Sequence, residues 1–329
     1  MDRTTAEKEW LRRISGGRPA APQGKPTSDQ SSSKPRPKPQ PTAKKHGNGF
    51  GDIAGMEDLK QRVKEGFINV LQHRDLADAY GIRPPSMLFY GPAGCGKTFF
   101  AEKMAEEVGI HFIKVVPDDL ASTMVHGTQE KIGEVFKNAE RHAPALLFFD
   151  EFDAMVPRRT GNEYNQHYDS EVNEFLCMLN HASDKGVYVL AATNHPECID
   201  KAVLRTGRID ELVYVDMPDH EARKSLFALE LAKLPREEDI DMDRLAHLTQ
   251  GFNCSDINYI VKSAARKKFN EAIGCGEHTL QNITQKQLEE IISGRSPSVS
   301  SRDLREYQRV HREFSPKDRD GQPASIGFR

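Results

Sequence analysis

Residues 91–98 read Gly-Pro-Ala-Gly-Cys-Gly-Lys-Thr, the pattern G-x-x-x-x-G-K-[ST], and no other stretch limits so sharply what this chain can fold into. Gly91, Gly94 and Gly96 let the backbone turn tightly and bring its N–H groups against an anion. Such a loop works only between a strand and a helix. Both are legible in the flanks. Met87-Leu88-Phe89-Tyr90 is a short apolar run of strand type, and Thr98 to Val108 has helical character. A helix that begins at the loop turns its positive end toward a bound phosphate. Lys97 is then placed to reach the outer phosphates of a nucleoside triphosphate, and the Thr98 hydroxyl to ligate Mg²⁺.

A second motif follows at 145–151, Ala-Leu-Leu-Phe-Phe-Asp-Glu. The run Leu146 to Phe149 is continuous rather than alternating, which predicts a strand buried on both faces of a parallel sheet. Asp150 at its end suits a magnesium shell, and Glu151 suits orientation or deprotonation of an attacking water. Taken singly, each motif has a plain reading, a glycine-rich turn and a solvated acidic turn. In this order and at this spacing they support one another as a site that splits a nucleoside triphosphate.

Charge divides the chain in two. Residues 1–48 hold 11 Lys and Arg against 4 Asp and Glu, and the remainder holds 35 against 45. The formal net charge of −3 therefore hides a basic arm on an acidic body. An acidic body is poor ground for a nucleic-acid-binding face. The chain is 37% hydrophobic and 29% charged, a soluble balance, and no stretch approaches the apolar length of a membrane span. The N-terminus has no apolar core of a secretion signal. The five cysteines, Cys95, Cys177, Cys198, Cys254 and Cys275, contain no C-x-x-C pair, which points to reduced thiols in the cytoplasm rather than a disulfide frame or a zinc site.

Residues 1–14 have room for a short helix with Trp10, Leu11 and Ile14 on its apolar side. Residues 15–48 hold seven Pro, many Ser and Lys, and almost no large apolar side chain, so the expected state of 1–48 is a disordered basic arm. From Phe50 the texture changes. Leu59, Val63, Phe67, Val70 and Leu71 fall at helical spacing. Strands at 87–90, 111–116, 145–149, 187–192 and 212–215 alternate with helices at 98–108, 128–142 and 170–181. That alternation predicts an α/β fold, a parallel sheet with helices on both faces, over 49–217. Helices at 219–232, 241–250, 255–273 and 284–293 predict a small all-α lid over 218–294. A C-terminal helix at 301–314, within a segment 295–314, starts from Ser300, Ser301 and Asp303, and 315–329 reads as a flexible tail.

Six motifs in order give residues 50 to about 314 a resemblance to the AAA branch of the AAA+ ATPases, the group of valosin-containing protein, the proteasomal ATPases, katanin and spastin. Phe-Gly-Asp-Ile-Ala-Gly-Met-Glu at 50–57 resembles the family's opening segment. The phosphate loop and Leu-Leu-Phe-Phe-Asp-Glu-Phe-Asp follow, then Ala-Ala-Thr-Asn at 191–194, similar to the first sensor. Asp-Lys-Ala-Val-Leu-Arg-Thr-Gly-Arg-Ile-Asp at 200–210 resembles the arginine-finger segment, and Gly-Phe-Asn-Cys-Ser-Asp-Ile at 251–257 the lid segment. The resemblance implies a P-loop NTPase that uses ATP and Mg²⁺. It implies nucleotide contacts from Asp52, Ile53 and Ala54, from Pro92, Ala93, Gly94, Cys95, Gly96, Lys97, Thr98 and Phe99, and from Cys254 and Ser255. It implies Thr98 and Asp150 as magnesium ligands, Glu151 and Asn194 as handlers of the water, and Arg205 and Arg208 as fingers reaching a neighbour's nucleotide in a homohexameric ring. Met124, Val125 and His126 precede Gly127 where the family grips its substrate; the usual aromatic is missing, and Val125 stands in its place.

The expected function is ATP hydrolysis by a ring-forming ATPase that remodels, unfolds or disassembles a protein client, with the basic arm as a docking element for an adaptor. Two other classes stay open at the level of sequence. One is a regulatory ATP-binding scaffold with low turnover, against which Glu151 and both arginines argue. The other is a nucleic-acid-associated motor, disfavoured by the acidic body.

Overall fold

The structure, a computed structural model, describes residues 47–120, 127–158, 175–205, 207–274 and 280–314. All of them fall within one unit of the chain, Lys38–Arg329. The N-terminal arm, Met124–His126 with their expected grip on a substrate, Cys275 and the residues after 314 lie outside the described residues.

Five strands form one sheet: β1 (Met87–Tyr90), β2 (His111–Val115), β3 (Ala145–Phe149), β4 (Val187–Thr193) and β5 (Glu211–Tyr214). Their order across the sheet is β2-β3-β4-β1-β5, and every neighbouring pair is parallel. Strands buried on both faces read as unbroken apolar runs. β1, β3 and β4 are buried at every position, as the continuity of 145–149 predicts.

The two-residue period sorts these side chains to two cores. Ala145, Leu147 and Phe149 join Val187, Val189 and Ala191 on one face. There they meet Ile132, Phe136 and Ala139, and Phe175, Leu176 and Leu179 of the helical stretch 175–182. Leu146 and Phe148 join Phe89, Leu190 and Val213 on the other, under Phe67, Leu71, Phe100 and Met104. The helices on that second face are α1 (Glu57–Val63), continued through a wider turn at Lys64–Ile68 to Asn69–Gln72, and α2 (Lys97–Val108). α3 (Gly127–Arg141) covers the first face.

Beyond Pro218 the chain is helical. α4 (His220–Leu231), α5 (Met242–Leu248), α6 (Cys254–Gly274) and α7 (Gln285–Ser293) pack around a third core that includes Phe227, Leu231, Leu245, Ile257, Ile260 and Leu288. Aspartate and threonine caps start three of them: the side chains of Asp219, Asp241 and Thr284 accept from the amides of Ala222, Arg244 and Gln287. α8 (Ser301–Phe314) returns to the sheet. His311 stacks on Tyr214 with ring centroids 4.1 Å apart, its Nδ1 lies 2.9 Å from the Tyr90 hydroxyl, and Phe314 sits beside Tyr90. Among the described residues the boundaries agree with the periodicity to within one or two residues; the expected start of a helix at 170 lies outside them. The short helices Arg74–Ala79, Pro117–Leu120 and Phe152–Met155 carry too few residues to show a period.

Candidate functional site

A parallel sheet sends all its strand ends the same way, so the loops after β1, β3 and β4 share one edge. Register fixes their spacing. Phe149 pairs with Ala191, and Thr193 pairs with Tyr90. Residues 91–96, Asp150 with Glu151, and Asn194 therefore emerge side by side, in the crevice where open α/β sheets place ligands.

The loop itself is tightly built. Gly91 has φ 141°, and a Cβ there would lie 2.2 Å from the Val215 carbonyl oxygen. Gly94 has φ 76°, and a Cβ would meet the Asn253 side chain at 2.4 Å. Only glycine fits these two positions. α2 starts at Lys97, so the unbonded amides of its first turn open onto the crevice. Lys97 is buried, and its ammonium donates to the carbonyl oxygens of Gly91 and Pro92, both at 2.9 Å. Burial pulls its pKa down to about 8, which nearby Asp150 and Asp153 only partly oppose.

The Thr98 hydroxyl donates to Asp150 Oδ2 at 3.0 Å. Two hard oxygen donors at that separation beside a helix N-terminus suit a magnesium ion and the phosphates it accompanies. The residues present thus fit a magnesium nucleotide. Glu151, next along, is one of two described non-glycine residues with positive φ, at 50°. Its amide donates to Asp150 Oδ1 at 3.1 Å, and its side chain is exposed. A carboxylate held in the left-handed region marks strain of the kind stored at reactive sites. Sequence gave no sign of it.

Asn194 directly follows β4. The preceding Thr193 donates to Asp153 Oδ1 at 2.5 Å and accepts from the His195 amide at 2.8 Å. Those bonds tie the turn carrying Asn194 to the helix that follows Glu151. The expectation missed Asp153 and Thr193 as supports, though Asp153 closes the quoted Asp-Glu-Phe-Asp run.

The lid reaches the loop as expected. The Ser255 amide donates to the Gly94 carbonyl at 3.1 Å, and Cys254 Sγ lies 3.8 Å from the Cys95 carbonyl oxygen. Asn253, missed at the level of sequence, does more. Its Nδ2 donates to the Ala93 carbonyl at 3.0 Å, while its Oδ1 accepts from the Asp256 amide at 2.8 Å and caps α6. An Asn three residues before an Asp was the available signal. Cys95 is buried against Met217 and Cys254, and burial raises both thiols, to about 12 and about 11. Burial thus favours the protonated thiols over the more nucleophilic thiolates.

The opening segment folds onto α2. Phe50 packs on Phe100 with centroids 5.3 Å apart, and Ile53 is buried. Asp52 pairs with Lys103 at 2.9 Å, which holds its carboxyl below the usual carboxylate range. Its side chain is thus committed to α2, and the Ile53 backbone is engaged too: its amide donates to the Phe50 carbonyl at 3.2 Å and its carbonyl accepts from Lys60 at 2.8 Å. Phe99, on the first turn of α2, is half-exposed.

Arg205 and Arg208 lie elsewhere. The Asp210 amide donates to the Ser86 carbonyl, and Glu211 pairs with Met87, so this segment sits at the start of β1 while the phosphate loop sits at its end. The intervening strand measures roughly 10 Å. Arg205 is exposed, and Arg208 donates to the Ala202 carbonyl at 2.6 Å. The structure does not bring these arginines to their own chain's loop.

Comparison with known proteins agrees with this geometry. Residues 87–217 match the family described as "ATPase family associated with various cellular activities (AAA)". A cell division cycle ATPase of Plasmodium falciparum (isolate 3D7) is 33% identical over 243 residues, 73% of this chain and 19% of the relative. A cell division cycle protein 48 homolog of Archaeoglobus fulgidus is 33% identical over 273 residues, 80% of this chain and 37% of the relative. The chain thus spans about a fifth to two fifths of the length of these curated relatives. With a five-stranded parallel sheet, a phosphate loop capped by a helical lid and the family match across 87–217, those residues form an ATPase domain of the AAA family.

Proposed function

We propose that this chain hydrolyses ATP at the crevice between β1, β3 and β4, as one subunit of a head-to-tail ring that remodels a protein client. The observation that carries the reading is the Thr98 hydroxyl 3.0 Å from Asp150 Oδ2 at the mouth of a glycine loop. Lys97 exchanges its two loop carbonyls for phosphate oxygens. Thr98 and Asp150 would hold magnesium, which when bound would neutralise phosphate charge. Glu151 takes the proton of the attacking water, and Asn194 orients that water. Arg205 and Arg208, set at the opposite end of β1, act on the neighbouring subunit's nucleotide, and their distance from their own loop supports assembly.

Among the described residues no helix is long and apolar enough to cross a membrane, and four cysteines are free thiols. Both facts suit a cytoplasmic setting. Met124, Val125 and His126 remain the proposed grip on an extended client, and the basic arm the proposed adaptor-binding element.

Glu151→Gln tests the reading. Nucleotide binding should persist while turnover falls about 100-fold or more, the scale of a lost acid–base group. Turnover at the parent rate would remove Glu151 from the site.

A further inference from the structure

Asp150 has a partner that neither the loop motif nor the family match brings to notice. Lys114 lies on β2 in register with Phe148 of β3. Paired residues of parallel strands face the same way, and side chains repeat every second residue. Phe112, Phe148 and Asp150 therefore share the α2 face with Lys114, and the Phe112 and Phe148 rings stack there with centroids 5.8 Å apart. The Lys114 ammonium ends 2.8 Å from Asp150 Oδ2, the same oxygen that accepts from Thr98. Oδ1 is taken by the Glu151 amide. A fixed cation and the proposed magnesium ligand thus converge on a single carboxylate oxygen.

We propose that Lys114 is a built-in competitor for the magnesium carboxylate, a positioning residue that sets how much free Mg²⁺ the site requires. The inference rests on the reading of Thr98 and Asp150 as the magnesium ligands. Its logic is charge. An ammonium within hydrogen-bonding distance of Asp150 satisfies that carboxylate without magnesium and repels a divalent ion drawn to the same oxygen. Lys114 is 42% exposed, so its flexible stem can withdraw into water when the ion enters. Exposure also tempers the effect, because water and salt screen a half-exposed pair. Phe112, two residues earlier, and Val115 after it are paired in the sheet, so the strand fixes the Lys114 backbone beside the crevice. Lys114 touches neither nucleotide nor water in this scheme; it acts through Asp150.

The test is a magnesium titration with a binding readout. Full-length parent, Lys114→Met and Lys114→Arg are held with a fixed concentration of a fluorescent ADP analogue, and Mg²⁺ is raised from a chelator-buffered zero. The midpoint of the magnesium-dependent signal should fall roughly 3- to 10-fold in Lys114→Met. It should stay near the parent value in Lys114→Arg, which restores the charge. Thermal melting without nucleotide checks that the variants fold, and Lys114→Gln replaces Lys114→Met if the latter does not. An unchanged midpoint in Lys114→Met overturns the proposal, as does a higher one, which would make Lys114 an aid to magnesium binding. A parent protein that binds the analogue equally well with and without magnesium would overturn the magnesium assignment itself, and the proposal with it.

Discussion

Lys97 carries the most consequential charge in the crevice, and it is held at a cost. Its ammonium is buried against loop carbonyls, and burial depresses its pKa to about 8. The sign of the consequence follows from linkage. A triphosphate favours the charged form, so the bound protein keeps the proton to higher pH than the free protein does. Nucleotide affinity should be flat below pH 8 and should weaken above it, by up to about tenfold per unit, as free Lys97 deprotonates. Isothermal titration from pH 7 to 9.5 would show this. An Arg at position 97, which stays protonated, should abolish the slope, and a parent profile flat to pH 9.5 would refute it. Without nucleotide, the unfolded chain holds this proton more firmly, so Lys97 should make the free protein more stable as pH rises from about 8 toward 10.5.

Residues with a motif around them were readable before any coordinates. Lys97, Thr98, Asp150 and Glu151 meet at one sheet edge as the spacing of the two motifs requires. What stayed hidden depends on strand register. Lys114 is one lysine among many until β2 is laid beside β3, and Asn253 reads as a helix cap until its amide is seen on Ala93. The positive φ of Glu151 has no sequence signature, because the residue type gives no hint of it. Asp52 shows the reverse case. A motif puts it near a nucleotide and is silent on its pair with Lys103, in the second turn of α2.

At the scale of elements, the start of α6 is a junction. The Asp256 carboxylate is buried there and receives Arg295 at 2.8 Å, the Ser298 amide at 3.0 Å and the Ser298 hydroxyl. Burial alone would raise its pKa, but these donors outweigh it and hold the carboxyl below its ordinary value. Arg295 also lies over the Tyr259 ring, 4.1 Å from its centroid. Asp256→Ala leaves a guanidinium without its carboxylate and should cost about 3 kcal/mol. Denaturant unfolding of the full chain, read as a shift in midpoint, measures it. A loss below about 0.5 kcal/mol would mean the network contributes nothing beyond an exposed pair. Helix lengths were legible throughout the lid because its apolar positions repeat with the helical period. The network that binds α6 to residues 295–298 was not, since its partners are some 40 positions apart in sequence.

The loops after β1, β3 and β4 gather at one end of the strands, and Arg205 and Arg208 lie near the other. In the proposed ring, a head-to-tail neighbour would supply these arginines. Specific ATPase activity should rise with protein concentration. Mixing Arg208→Ala with Glu151→Gln subunits, each poorly active alone, should restore part of the parent rate, because some interfaces then pair an intact Glu151 with an intact Arg208. Activity independent of concentration, from a monomer by light scattering in ATP, would remove the trans role.

α8 has a mechanical meaning that its sequence does not suggest. The chain enters the helical subdomain beside Met217, whose sulfur lies 3.5 Å from Cys95, and leaves it through Ser298 to dock His311 and Phe314 on Tyr90 and Tyr214. The chain thus joins the subdomain to the sheet at two separate points, besides the contacts of Asn253 and Ser255 with the phosphate loop. A body moored at one point tumbles; at two, it swings about the line between them. Loss of the Asn253–Ala93 contact would leave those two points as the pivots, so the subdomain should then turn about the line between them rather than swing free.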